Sequence, residues 1–188
     1  MKKMMRPLLY VLLGALVLIQ FFPPEKNQSA ASPAPLAAAY EIPDPVMALL
    51  KPACYDCHSN HTRYPWYNNL QPVGWWMASH VNEGKSHLNF DEFTSRPIAV
   101  QNHKFEEIVE VVGEEKEMPE FSYTWTHADA RLSDEQRAVI TTWAQAQMDL
   151  LKERYPADSL VLRRRGQPAP QAPKEAPEEQ PEGGQDHD

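Results

Sequence analysis

An all-α domain is predicted for the middle of this chain, between an apolar N-terminal segment and a proline-rich acidic tail. Three observations carry that prediction. Several stretches place apolar residues at i, i+3, i+4 and i+7. No stretch shows the period-two alternation of a half-buried strand. Of 18 prolines, seven fall between Pro23 and Pro52 and five between Pro168 and Pro181, leaving the middle free to form helices.

Residues 1–22 read as a membrane anchor or an export signal. Lys2, Lys3 and Arg6 precede the almost wholly apolar run from Leu8 to Phe22. A run of this length lies near the lower limit for a membrane span, which usually needs ~20 residues, and within the range of a cleaved signal. Ser29-Ala30-Ala31 is the candidate cleavage site, though Pro23-Pro24-Glu25-Lys26 separates it from the run. Basic residues stay on the cytoplasmic side. The remainder is therefore expected on the periplasmic side of a bacterial inner membrane, tethered by one N-terminal transmembrane helix or released after signal cleavage. Residues 23–44, rich in Pro, Ala and Ser, read as a linker. The folded domain is expected over 45–162. Residues 163–188 carry Pro, Glu, Gln and Gly with almost no large apolar side chain, and read as a disordered tail.

Within the domain, Asp44 is expected to cap a helix with Pro45 at its first position, running toward Lys51. Pro72 opens a second, with Val73, Trp76, Met77, His80 and Val81 on one face and Gly84 as its stop. Asn102 precedes a third, carrying Phe105, Ile108, Val109 and Val112 and ended by Gly113. Ser133-Asp134-Glu135-Gln136 is a capping box for a fourth, with Val139, Ile140, Trp143, Ala146 and Leu150 inward. Segments 59–71, 85–101 and 114–131 are expected to be irregular.

The net charge is −8 over 188 residues, and the only consistently basic region is the extreme N-terminus. An acidic body repels phosphate backbones, which argues against nucleic acid as a partner. The two cysteines, Cys54 and Cys57, are too few for a disulfide scaffold or a four-thiolate cluster.

Both cysteines fall in Cys54-Tyr55-Asp56-Cys57-His58, a C-x-x-C-H motif. Two thiols at this spacing can add to the two vinyl groups of one haem, and the adjacent histidine is directed at the iron. Competing readings are a redox dithiol, which expects a βαβ context that is not visible, a short-range disulfide, which leaves His58 unused, and a zinc site recruiting His58 and His61. One covalently attached haem c accounts for all three motif residues. It also agrees with export, since this attachment takes place outside the bacterial cytoplasm.

A sixth iron ligand must come from a distant loop. Met118, followed by Pro119, is the first candidate, with His80, His87, His103 and His127 as alternatives. Met77 and Met148 sit at helical core spacing. Trp66, Trp76 and Tyr123, among other aromatics, are candidate walls for a large apolar disc, and Arg63 and Arg96 are candidate partners for its propionates. Glu106, Glu107, Glu110, Glu114, Glu115, Glu117 and Glu120 surround Met118. They read either as a solvated helix face or as a negative docking surface for a basic redox partner protein.

Several blocks in order resemble the small bacterial haem-binding domain family of c-type cytochromes: Cys54 to Asn60, Arg63-Tyr-Pro-Trp-Tyr67, Pro72-Val73, Glu83-Gly84-Lys85, His87-Leu-Asn-Phe90, Met118-Pro119 and Leu132 to Trp143. The resemblance covers about 45–147. It implies a cytochrome c-like helical fold around one haem c, with Cys54 and Cys57 as attachment sites, His58 as proximal ligand and Met118 as distal ligand. His127-Ala128 departs from the His-Pro pair expected there. The function expected is one-electron transfer by a non-enzymatic carrier. A haem-based redox or gas sensor and a peroxidase-like enzyme with a displaceable sixth ligand are the alternatives.

Overall fold

The computed structural model describes residues 2–162, so the tail expected at 163–188 lies outside the described residues. Seven α-helices follow one another there: α1 (Lys2–Ile19), α2 (Asp44–Ala53), α3 (Tyr55–His58), α4 (Val73–His87), α5 (Ile98–Ile108), α6 (Phe121–Thr126) and α7 (Asp134–Arg154). A π-helical turn, Val109–Glu114, continues α5. Among the described residues the only β-pairing is an isolated bridge between Gln28 and His61, so the all-α expectation holds.

The longest helix, α7, forms because Ser133 caps it in both directions. The Ser133 hydroxyl accepts from the Gln136 N–H, and the Gln136 side chain accepts from the Ser133 N–H. Its buried face carries Ile140, Trp143, Ala144, Gln147, Met148 and Leu151. Against it lie α2, α5 and the π-helical turn. Phe105, fully buried, sits at the centre of an aromatic cluster, its ring 4.9 Å from Tyr40, 5.2 Å from Phe93 and 5.6 Å from Trp143. The pairs with Tyr40 and Trp143 are edge-on, and such contacts contribute about 0.5–1.5 kcal/mol each beyond area burial.

The face expected on α7 is rotated: Val139, Ala146 and Leu150 are exposed. Met148 is in the core as expected, whereas Met77 is only half-buried. The helix ends also shift. Pro43 precedes α2, and Asp44 is its first residue without a side-chain capping bond. Gly84 does not stop α4, which runs on to His87, and Gly113 lies inside the π-helical turn. At Gly84 a β-carbon would meet the Cys57 carbonyl oxygen at 2.9 Å and the Cys57 β-carbon at 3.1 Å. The glycine lets α4 approach α3, a role that looks like a helix stop when only the sequence is read.

Residues 23–44 are not a free linker. Leu36 is fully buried and Tyr40 nearly so, both within the main core. The backbone is tied down as well: Ser29 N–H donates to the Asn60 carbonyl (2.9 Å), Thr62 N–H to that of Asn27 (2.9 Å) and Leu36 N–H to that of Phe90 (2.7 Å). Composition pointed to a linker because two large apolar residues among many alanines and prolines barely change an average, yet those two supply the anchoring burial.

The expected membrane-spanning helix is not found. Among the described residues no helix is long and apolar enough to cross a membrane. The 18 residues of α1 include three basic ones, and the uncharged part from Pro7 to Ile19 rises only about 20 Å against a hydrocarbon core of about 30 Å.

Candidate functional site

The C-x-x-C-H motif leads into the single turn α3, wedged between the end of α2 and the last turn of α4. His58 Nδ1 lies 2.9 Å from the Gly84 carbonyl and 3.0 Å from the Leu88 carbonyl. Two acceptors at one ring nitrogen place the proton on Nδ1, which leaves Nε2 with its lone pair. Burial holds the imidazole pKa below its ordinary value, only partly offset by those carbonyls, so the ring is neutral and able to ligate a metal. An imidazole oriented by a carbonyl behind it is the usual outer-shell arrangement of a metal-ligating histidine.

Both thiols are free and partly exposed. Burial, and for Cys54 the neighbouring Cys57, pushes the Cys54 thiol up to about 12; burial and Asp56 push Cys57 up to about 11. Neither is a thiolate at neutral pH, which argues against a reactive redox dithiol. Among the described residues no group of three or more His, Cys, Asp or Glu side chains is placed to hold a metal ion, which argues against a zinc site with His58 and His61.

Asp56 is a hub that sequence reading missed. It is buried, and it accepts from the Arg63 backbone N–H (3.0 Å), from Arg63 Nη2 (3.0 Å) and from the Tyr123 hydroxyl (2.7 Å). Asp56 raises the pKa of the Arg63 guanidinium, while burial first and Asp56 second raise that of Tyr123. The network locks α3 to the 62–63 segment and to α6. Its sequence signal was the acidic residue inside the motif.

Met118 lines the same region as His58. It lines a cavity of about 430 Å³ with Cys54, His58, Leu50, Phe90 and Ile140, and one of about 220 Å³ with Cys57, His58, His80, His87 and Tyr123. The two cavities share Met118, His58 and His87, so they adjoin, and the cleft they make up has His58 and Met118 on its walls. Three features place Met118. The π-helical turn closes with the Glu115 N–H on the Glu110 carbonyl (2.9 Å). Lys116 then takes φ = 59°, a left-handed conformation that reverses the chain at a cost of about 1 kcal/mol. The Met118 N–H donates to the Val111 carbonyl (3.0 Å), while Arg137 Nη1 donates to the carbonyls of Val112 (2.7 Å) and Met118 (2.6 Å). Arg137 was also missed by sequence reading, since an arginine in the first turn of a surface helix carries no pattern.

Other predicted site residues divide. Tyr123 and Trp76 line a strongly apolar cavity of about 490 Å³ that begins at Cys57 and also holds Arg63, Met77, His80, Trp125 and His127. Trp66 lines none of these cavities and is 76% exposed. Arg63 is paired with Asp56 and lies 3.5 Å from Asp129, so its charge already has carboxylate partners. Arg96 lines a separate small cavity. Of the alternative ligands, His80 and His87 face the cleft, His103 pairs with Glu106 and Glu107, and His127 stacks on Tyr123. The acidic cluster is dense enough for Glu117, then Glu110 and Glu114, to raise the carboxyl pKa of Glu115.

The sequence model of the haem-binding domain family matches residues 14–146. The chain belongs to this family. No curated protein and no solved structure matches it. The residues present fit a haem. Apolar walls suit the disc, a neutral imidazole with a free Nε2 suits the iron, a thioether faces the same cleft, and two unpaired thiols border it.

Proposed function

We propose that this haem-binding domain is a mono-haem c-type cytochrome that carries single electrons, with a cytochrome c-like arrangement of its helices around the haem. Cys54 and Cys57 would hold the group covalently, and His58 Nε2 and the Met118 sulfur would ligate its iron. The single observation that carries the reading is the oriented, neutral His58 sharing a cleft with Met118, with both thiols of the chain at its edge. When bound, the haem would supply reversible one-electron chemistry at iron.

The chain's own residues do the rest. The Gly84 and Leu88 carbonyls fix the His58 tautomer and raise its basicity. Arg137 holds the Met118 loop in place. With His58 and Met118 both as ligands the iron would have no position open to a substrate, so the protein is read as a carrier and not an enzyme. The glutamates around Met118 offer a negative surface to a basic redox partner, which speeds encounter at low salt.

Location on the periplasmic side of the membrane, with the N-terminal segment as its point of attachment, belongs to the same reading. The basic start and apolar run of α1 suit export. The packing of residues 26–40 onto the domain favours an uncleaved chain, because cleavage after Ser29-Ala30-Ala31 would discard the contacts of Asn27 and Ser29.

The test is the optical spectrum of the oxidised protein. A methionine-to-iron charge-transfer band is expected, and Met118→Ala is expected to remove it. An unchanged spectrum in Met118→Ala would overturn the assignment of Met118.

A further inference from the structure

Two charge-free stretches meet at one face of the molecule. No Asp, Glu, Lys or Arg occurs from Pro7 to Pro24, nor from Tyr64 to Asn82, in a chain with 44 charged residues among 188 (18 basic, 26 acidic). The structure joins the two. Gln20 Nε2 donates to the Gln71 carbonyl (3.0 Å), the Gln71 N–H donates back to Gln20 Oε1 (2.9 Å), and Trp75 Nε1 donates to the Phe22 carbonyl (2.7 Å). Around this junction Phe21 and Phe22 are 75% and 68% exposed, and Trp66, Leu70, Val73 and Trp75 are exposed as well. Lys26, hydrogen-bonded to Asn69 at 3.0 Å, stands at its margin.

We propose that this aromatic collar at the root of α1 seats the domain on the headgroup region of a lipid bilayer. The inference rests on the membrane association proposed above, not on the haem. The occupant follows from α1. From Met5 to Leu18 its side chains are exposed, and they are largely apolar on every side. A protein groove covers one face of a helix, whereas a lipid phase covers all of them. Tryptophan and phenylalanine beside an apolar helix suit the boundary between headgroups and acyl chains. An acidic body is repelled by anionic lipid, and the collar is the side from which such a body can approach, with Lys26 facing the phosphates. Since α1 is too short to cross, contact by the collar fixes the height and tilt of the domain, and with them the side from which redox partners reach the cleft.

The experiment uses the full chain with vesicles of phosphatidylethanolamine and phosphatidylglycerol. Co-sedimentation of the wild type tests membrane association itself, and amide hydrogen exchange with and without vesicles tests the collar. Slower exchange is expected in 66–76, with no change in 121–130. Trp66→Ser/Trp75→Ser, folded by circular dichroism, is expected to lower the partition coefficient at least about tenfold. Should the double variant not fold, Trp66→Ser alone replaces it, with a smaller drop of several-fold expected. Failure of the wild type to sediment would sink membrane association and the collar together. Sedimentation with unchanged exchange in 66–76, or with variant partition equal to wild type, would overturn the collar alone. Protection of 66–76 by raised protein concentration without lipid would assign the face to a second copy of the chain and overturn the proposal.

Discussion

His58 is fixed from behind by two carbonyls at the end of α4, inside a turn locked by a buried aspartate, whereas Met118 sits on a half-exposed loop held by its backbone bond to Val111, by a left-handed Lys116 and by Arg137. On the first side the partners are the Gly84 and Leu88 backbone carbonyls, at the end of a helix that packs against α3 and the 66–69 turn. On the second they are a left-handed residue, a π-helical turn and a charged side chain reaching across from α7. The contrast teaches that one half of the cleft is set by two backbone carbonyls and a buried aspartate, and the other by a π-helical turn packed on α7 and one arginine.

The sharpest break in this comparison comes from removing each ligand in turn. His58→Ala should abolish six-coordinate low-spin absorption, while Met118→Ala should keep the His58 bond and shift the reduction potential downward, since methionine ligation raises it. Spectra and potentiometry check both. Equal spectra for the two variants would contradict the assigned asymmetry.

Next in size is Arg137→Gln. It leaves the Val112 and Met118 carbonyls short of a charged donor, so a loss of about 1–3 kcal/mol in urea unfolding is expected, with the methionine band lost before global melting. A band that melts only with the whole protein would show that Arg137 does not hold the distal loop. Gly84→Ala probes the proximal side. The new methyl would press on Cys57, costing about 1–3 kcal/mol and leaving the methionine band intact at low temperature.

The smallest effect is a pH dependence of the haem-free chain. The folded-state pKa of His58 lies below its unfolded value, so the stabilisation is full above about 6.5 and falls as the unfolded state takes up protons first. Each pH unit below about 6.5 should cost up to about 1.4 kcal/mol until the folded pKa is reached. His58→Gln, measured by urea titration across the same range, should flatten that slope.

Legibility in the sequence follows the same division. The motif at 54–58, the capped start of α7 and the apolar period of α5 were readable because each is local: a fixed spacing, a cap and a face. Met118 was readable only as a candidate, since nothing in the order of residues shows which loop folds over a cleft. What escaped was tertiary. Leu36 and Tyr40 bury themselves from a segment whose composition reads as linker, and Gly84 serves close approach and not termination. Asp56 and Arg137 act through partners seven to 67 and 19 to 25 residues away. Trp66, expected in the pocket, stands at the surface.

The central claim is that both cysteines hold one haem through covalent bonds. Mass spectrometry of the denatured full chain, expressed in a host that exports and matures c-type cytochromes, tests it most directly. The account predicts a chain heavier by one haem, and Cys54→Ser/Cys57→Ser at the mass of the bare polypeptide. A wild-type chain without added mass, or a double variant that keeps the haem after denaturation, would contradict it.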